Sequence, residues 1–352
     1  MSFLHPVVGT PAEVLVALAG WLEAPGESPP IVVETSGSTG APKRVLLSRR
    51  AVLASVAASA RRLGASGQWL LALPPSYVAG VQVICRSLVA GHRPVLLDEH
   101  ASFAEAVAAM VSTGSTGEGG SVETPRFVSL VPTQLHRMLE VPADAAALRT
   151  FHTVLLGGGP IDPSLRTRAA EAGVRVVATY GSAETAGGCV YDGYALDGVA
   201  LALGAGGRIR IGGPTLFEGY DGDPALTAGV LDDGWFLTSD AGRLDEDGRL
   251  HVLGRIDDVV VSGGVNVPAP TVAARLREHP DVSAAEVLGV PDDEWGQRLV
   301  AFVVGGVSLD EVRDWVSAVH PRSWAPRSLV ALDAIPLLDN GKPDRLALRE
   351  LA

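Results

Sequence analysis

The chain has 352 residues, 47% of them apolar and only 5% aromatic, with a net charge of −12. That length exceeds one compact core and predicts two domains, and the acidity excludes a general nucleic-acid binder, because phosphate neutralisation needs a basic surface. Cys85 and Cys189, the only cysteines, exclude a disulfide framework and a cysteine zinc site. With no signal-peptide pattern and no run of the ~20 apolar residues a membrane helix needs, a soluble cytoplasmic protein without membrane insertion is expected.

Pro11–Leu22 has helical spacing, and Ile31–Glu34 reads as a short buried strand. The run Thr35–Lys43 (TSGSTGAPK) leads to a second strand, Arg44–Leu47. A helix follows, with Ser48 as N-cap and Gly64 where its C-terminal glycine belongs. The Gly/Ser/Thr run is therefore a loop between two strands. Pro74–Arg86 (PPSYVAGVQVICR) contains an apolar helix with a single charge, Arg86. Ser112–Gly120 (STGSTGEGG) repeats the letters GSTG, but no lysine follows and Glu118 would repel phosphate, so a flexible surface loop is expected.

Phe151–Thr179 reads as one parallel βαβ unit: strand Thr153–Leu156, a helix capped by Asp162 with Pro163 first and Gly173 just past its end, and strand Val174–Thr179. Ligands of such sheets sit beyond the carboxyl ends of strands. Gly157–Gly159 and Tyr180–Glu184 both fall there, so two strand ends converge on one site. Gly207–Leu253 reads as short strands with Gly, Asp and Pro turns, an antiparallel or barrel-like piece. A boundary is placed at Asp257. The predicted fold class is α/β: a large domain, 1–256, with a barrel-like part, then a small α+β domain, 257–352. In the latter a helix is expected around Thr271–Glu278 and another from Leu309, with strands near Ala284–Val290 and Leu299–Val304.

Chemistry concentrates first in Thr35–Lys43. Gly37 and Gly40 permit close backbone approach; Ser36, Ser38 and Thr39 add hydroxyls; Lys43 adds positive charge. Together they suit an anion, above all a polyphosphate. The run is not a Walker A loop, since it lacks that motif's second glycine and the Ser or Thr after the lysine.

TSGSTGAPK resembles the phosphate-loop signature of the superfamily that joins acyl-CoA synthetases, peptide-synthetase adenylation domains and firefly luciferase. Further resemblances follow in that superfamily's order: Leu155–Ile161 (LLGGGPI), Tyr180–Thr185 (YGSAET), Gly207–Thr227, Trp235–Asp240 (WFLTSD), Gly254–Gly264 (GRIDDVVVSGG) and Asn340–Arg345 (NGKPDR). They run from Val32 to Arg345. Each alone is weak; the shared order is specific.

The resemblance implies an enzyme that uses ATP, Mg²⁺ and coenzyme A, with a mobile C-terminal domain. ATP would lie against Ser36, Gly37, Ser38, Thr39, Gly40 and Lys43, against Gly158 and Gly159, and against Tyr180, Gly181 and Ser182. Tyr180 would stack on adenine, Asp240 would accept both ribose hydroxyls, and Arg255 would reach the ribose and phosphates. Glu184 would hold Mg²⁺. Lys342, which without that context reads as a solvated tail lysine, would offset charge at the α-phosphorus. Asp257 would be the hinge, and Gly263 and Gly264 would let the pantetheine arm of coenzyme A pass. The resemblance is compatible with a homodimer.

Thr185–Val199 (TAGGCVYDGYALDGV) resembles the compact o-succinylbenzoate–CoA ligases of menaquinone synthesis. Tyr77, Arg86 and Gly157 would then face the acid. A buried arginine without a partner is costly. Arg86 either meets the carboxylate that o-succinylbenzoate keeps or snorkels out or pairs internally, and both readings stay open. Tyr77 stands where the superfamily often has His, and Ala183 where a Thr or Ser usually donates to the α-phosphate, a bond that is then either missing or supplied by Ser182. Two other readings are retained: a ligase for another aryl or acyl acid, and a catalytically inactive nucleotide-binding relative.

Overall fold

A computed structural model describes residues 4–35, 42–111, 113–115, 121–338 and 343–352, with only the backbone of 113–115, 121, 122 and 257. Two compact units result: Met1–Ala202 with Arg210–Leu237, and Leu203–Ile209 with Thr238–Ala352. Asp257 falls inside the second.

The first unit is organised by a seven-stranded sheet. Its strand order is Tyr194–Ala195, Gly187–Tyr191, Val176–Ser182, Thr153–Leu156, Arg126–Leu130, Gln68–Leu71 and Val95–Leu96. The last five are mutually parallel, and the first two pair antiparallel. A parallel sheet covered on both faces reads as continuous apolar runs, and every residue of Thr153–Leu156 is buried. Trp69, Leu71, Phe127 and Leu155 pack to one core, and Leu70, Val128, Val154 and Leu156 to another.

The predicted caps are present. Ser48 Oγ accepts from Ala51 N–H at 3.4 Å, and Gly64 closes that helix at φ 73°. Asp162 accepts from Ser164 N–H at 2.7 Å ahead of Pro163–Glu171. A smaller sheet joins Ile31–Thr35, Lys43–Leu47 and Gly219–Tyr220. Thr35 stands opposite Lys43, so the glycine-rich run does connect two paired strands. Ser36–Gly40 themselves lie outside the described residues, as does most of Ser112–Gly120; the flanks of the latter, Thr113–Ser115 and Ser121–Glu123, pair antiparallel.

In the second unit, Val282–Asp292 and Gly296–Gly305 form a long antiparallel hairpin. Ser328–Ala331 joins it in parallel, and Val259–Ser262 with Val265–Pro268 adds a second hairpin. Helix Ala269–Arg277 contributes Val272 and Leu276 to the core and helix Leu309–Ser317 contributes Val312 and Val316. The latter helix starts with a capping box, Ser308 and Glu311.

Candidate active site

Glu184 is placed by its backbone first. The strand Val176–Ser182 ends in a tight turn, Ala183–Thr185. Thr185 Oγ1 accepts from Ser182 N–H at 2.9 Å and donates to the Gly187 carbonyl at 2.7 Å. Ala186 takes a left-handed φ of 50°, and Gln82 Nε2–H holds its carbonyl at 2.8 Å. Phe217 N–H donates to the Glu184 carbonyl at 2.9 Å.

The side chain is then held by Tyr220, whose hydroxyl donates to Glu184 Oε1 at 2.9 Å. Tyr220 is 5% exposed and Glu184 8%. Burial, then the negative charge of Glu184, raises the Tyr220 hydroxyl far above its ordinary value, so it stays a donor. Lys43 Nζ lies 5.5 Å from the centre of the Tyr220 ring, within cation–π range. Lys43 makes no ion pair among the described residues, so its charge is available to an anion. A buried carboxylate, a tyrosine and a lysine thus form one constellation.

This constellation fits Mg²⁺ in one particular way. Mg²⁺ takes hard oxygen ligands and is commonly held by one or two carboxylates plus substrate phosphates. Among the described residues no group of three or more His, Cys, Asp or Glu could hold a metal. Glu184 therefore suits Mg²⁺ that arrives with a nucleotide, not a self-sufficient metal cage.

The two predicted strand ends do meet. A Cβ on Gly157 would lie 2.3 Å from Thr179 Oγ1, and one on Gly181 would lie 2.1 Å from the Gly187 carbonyl oxygen, so only glycine fits at either. Gly158 has φ 81°. Tyr180 is half-buried, and Gly158, Gly159 and Gly181 are exposed. Ser182 Oγ is buried and has no hydrogen-bond partner among the described residues.

Tyr77 is half-buried and precedes helix Val78–Val89 without a side-chain cap bond. Arg86, on that helix, is 7% exposed. It does not snorkel. Its Nη2–H donates to Tyr191 Oη at 3.2 Å, which also bonds Ser59 Oγ at 2.9 Å. The guanidinium lies 5.1 Å from the Trp69 ring centre. Nε has no hydrogen-bond partner, and no carboxylate pairs with Arg86 among the described residues.

In the second unit, Asp240 and Arg255 are cross-strand partners, between Trp235–Leu244 and Leu250–Arg255. Thr238 Oγ1 accepts from Asp240 N–H at 3.1 Å. Asp257 lies in a short turn, Ile256–Asp258. Gly263 and Gly264, at φ 57° and 78°, form the two-residue turn of a hairpin. That turn itself calls for glycine, and Trp295 packs 2.6 Å from where a Gly263 Cβ would lie. Lys342 lies outside the described residues; nearby, Arg345 pairs with Asp258.

Sequence reasoning missed Tyr220, Tyr191 and Gln82. The chain has five tyrosines, and two bury their hydroxyls on charged groups; that scarcity was the only local signal.

AMP-binding enzymes match over residues 22–207, and the AMP-binding enzyme C-terminal domain over residues 271–342. The chain belongs to the AMP-binding enzyme family. It is 43% identical over 327 residues to a protein of Mycobacterium tuberculosis named probable 2-succinylbenzoate–CoA ligase, covering 90% of this chain and 83% of that one. Among solved structures it resembles o-succinylbenzoate CoA synthetase from Bacillus subtilis in complex with its acyl-adenylate intermediate, at 28% identity and TM-score 0.75, over 90% of this chain and 68% of that one. The same Bacillus enzyme has been solved with ATP and a magnesium ion. The amide bond synthetase McbA of Marinactinospora thermotolerans is similar at 30% identity and TM-score 0.76, over 91% of this chain and 68% of that one. No helix among the described residues is long and apolar enough to cross a membrane.

Proposed function

We propose that the chain is a cytoplasmic, AMP-forming acid–thiol ligase that activates o-succinylbenzoate with ATP and passes the acyl group to coenzyme A in menaquinone biosynthesis. The choice of acid is carried by the 43% identity, across 90% of the chain, to the probable 2-succinylbenzoate–CoA ligase.

A carboxylate is a poor electrophile, so two half-reactions are needed. A carboxylate oxygen attacks the α-phosphorus of ATP, the bond to pyrophosphate breaks, and acyl-AMP forms. The coenzyme A thiol then attacks the acyl carbonyl, loses its proton, and AMP leaves. Bound Mg²⁺ neutralises phosphate charge. Glu184 orients it, and Lys43 and Lys342 offset the remaining charge, the electrostatic positioning phosphate chemistry requires. Ser36–Gly40 supply donors to the phosphates. Ser182 Oγ, which has no hydrogen-bond partner among the described residues, takes the α-phosphate in place of the missing Ala183 hydroxyl.

Tyr180 stacks on adenine beside Gly157–Gly159, and Asp240 with Arg255 receives the ribose. Tyr77, Arg86 and Gly157 face the acid, and the charge of Arg86 suits the carboxylate that is not activated. Asp257 is the hinge between a large part, 1–256, and a small one, 257–352, and Gly263 and Gly264 pass the pantetheine arm. The protein is read as a homodimer, which light scattering tests.

Purified protein is mixed with ATP, Mg²⁺, coenzyme A and o-succinylbenzoate, and products are read by mass spectrometry, with benzoate and short fatty acids as controls. An aryl acyl-CoA from o-succinylbenzoate alone is expected. A product only from another acid would discard the substrate and keep the chemistry. No pyrophosphate from any acid would leave a non-catalytic nucleotide binder. An arm with an amine replacing coenzyme A covers the acceptor suggested by the amide bond synthetase.

A further inference from the structure

We propose that Tyr220 is a positioning residue for the adenylating step: its hydroxyl orients Glu184 while its ring seats Lys43, so one side chain sets the spacing between the carboxylate and the ammonium that handle Mg²⁺-ATP. The inference rests on the roles proposed above for Glu184 and Lys43.

The geometry joins three stretches far apart in sequence. Segment 217–221 reaches Glu184 twice, through the Phe217 N–H at the Glu184 carbonyl, 2.9 Å, and the Tyr220 hydroxyl at the carboxylate, 2.9 Å. The same segment pairs with the strand that begins at Lys43: Gly219 stands opposite Leu46 and Tyr220 opposite Val45. Glu218 N–H donates to the Leu46 carbonyl at 2.9 Å and Asp221 N–H to the Arg44 carbonyl at 2.8 Å. Segment 217–221 is therefore a brace between the two charged residues.

Tyr220 is itself locked. Its N–H donates to Thr227 Oγ1 at 2.8 Å. Its ring packs edge-on to Phe217 at 5.0 Å, and Phe217 packs on Phe236 at 5.5 Å. Glu184 has no other side-chain hydrogen bond among the described residues. The terminal torsion of a glutamate is broad, so without this donor the carboxylate would swing. With it, one oxygen is committed to the hydroxyl and the plane of the group is set before the nucleotide arrives. Such preorganisation strengthens a charged interaction without reorganisation when the reaction occurs. Nothing covalent happens at Tyr220.

The test is calorimetric titration of ATP at a series of Mg²⁺ concentrations, with AMP titrated without Mg²⁺ as the control. Tyr220→Phe keeps the ring and removes the hydroxyl. A lost hydrogen bond to a charged group predicts that the Mg²⁺ needed for half-maximal ATP affinity rises about tenfold while AMP affinity holds; the free protein melts somewhat lower, because the buried Glu184 carboxylate loses its donor. Tyr220→Leu also removes the aromatic face and is expected to weaken ATP further.

A purely structural tyrosine would instead weaken AMP and ATP alike and leave the Mg²⁺ dependence of ATP binding unchanged, which would overturn the proposal. Glu184→Gln separates the two readings. If it leaves the Mg²⁺ dependence unchanged, the metal role of Glu184 fails. If it shifts the dependence and Tyr220→Phe does not, only the role of Tyr220 fails. Because Tyr220 acts through Glu184, the double variant is expected to be no worse than Glu184→Gln, and full additivity would count against it. Should Tyr220→Phe not fold, Thr227→Val, which removes the acceptor of the Tyr220 N–H, is expected to give the same signature at smaller size; an unchanged Mg²⁺ dependence there would refute the brace.

Discussion

In the first unit, Gln82 Oε1, Arg86 Nε and Ser182 Oγ are buried with no hydrogen-bond partner among the described residues. In the second unit Asp258 pairs with Arg345, Glu286 with Arg277 and Asp292 with Arg298, and Asp245 hydrogen-bonds His251; the first unit has ion pairs of its own, such as Arg44 with Asp221 and Arg166 with Asp192. An unsatisfied buried polar group costs about 1–3 kcal/mol. The first unit thus carries polar groups that its own fold leaves incomplete, as a site built to receive polar ligands should. The second unit also buries Ser317 Oγ with no hydrogen-bond partner among the described residues, but that hydroxyl is not among the residues proposed for the site.

Lys342→Ala puts the sharpest pressure on that contrast. The second unit is expected to act on the chemistry through this lysine and not through its paired charges. Adenylate formation should fall by about 10²–10³, the size seen on removing one transition-state donor, with the melting temperature unchanged. Pyrophosphate release in single turnovers reads it, and a near-normal rate would remove Lys342 from the catalytic step.

Arg86→Met is next. A carboxylate partner supplied by the acid predicts that KM for o-succinylbenzoate rises about 10–100-fold, with KM for ATP unaffected. Removing a buried charge that lacks an ion partner should leave thermal stability equal or higher. A fall in stability with an unchanged KM would make Arg86 a packing residue, held by Trp69 and Tyr191.

Asp258→Asn breaks a pair in the second unit. A cost of about 1–3 kcal/mol in unfolding free energy is expected, because the pair is largely buried and Arg345 would lose its charged partner, read by denaturant melts.

Glu286→Gln gives a smaller, pH-dependent effect. Burial holds the Glu286 carboxyl above its ordinary range, against the pull of Arg277 and Arg345. As pH rises the unfolded chain ionises first, so ionisation favours unfolding. The variant should melt higher than wild type at pH 7 and equally below the ordinary glutamate value. A lower melting point at pH 7 would mean that the Arg277 pair outweighs burial.

The smallest effect concerns the thiols. Burial pushes Cys85 and Cys189 up to about 12, so neither should react with a thiol reagent until the chain is unfolded. Reaction of native protein at pH 8 would show that the first core opens locally.

Features governed by near neighbours were legible. Ser48, Gly64, Asp162 and Pro163 act within a turn or two of themselves, and the structure shows each cap. The strand ends at Gly157 and Tyr180 were legible because a βαβ unit places both at the same edge. Tyr220 was not legible: its partners lie 36 residues away at Glu184 and at Lys43, and nothing local in Gly-Tyr-Asp-Gly signals a carboxylate. Arg86 could be marked as anomalous, but which way it turned depended on Trp69 and Tyr191. The glycines at 263 and 264 carry a turn requirement that a reading aimed at coenzyme A overlooked.

The three-stranded sheet of Ile31–Thr35, Lys43–Leu47 and Gly219–Tyr220 has a consequence during synthesis. Its central strand is made early, yet its third neighbour leaves the ribosome only after residue 220. At about 5–20 residues per second that interval lasts roughly ten to forty seconds. Throughout it, Lys43–Leu47 is an unpaired edge, and the charges of Lys43 and Arg44 discourage it from pairing with another nascent chain. Lys43, proposed above to meet the nucleotide phosphates, would thus also help guard the newborn polypeptide against its neighbours.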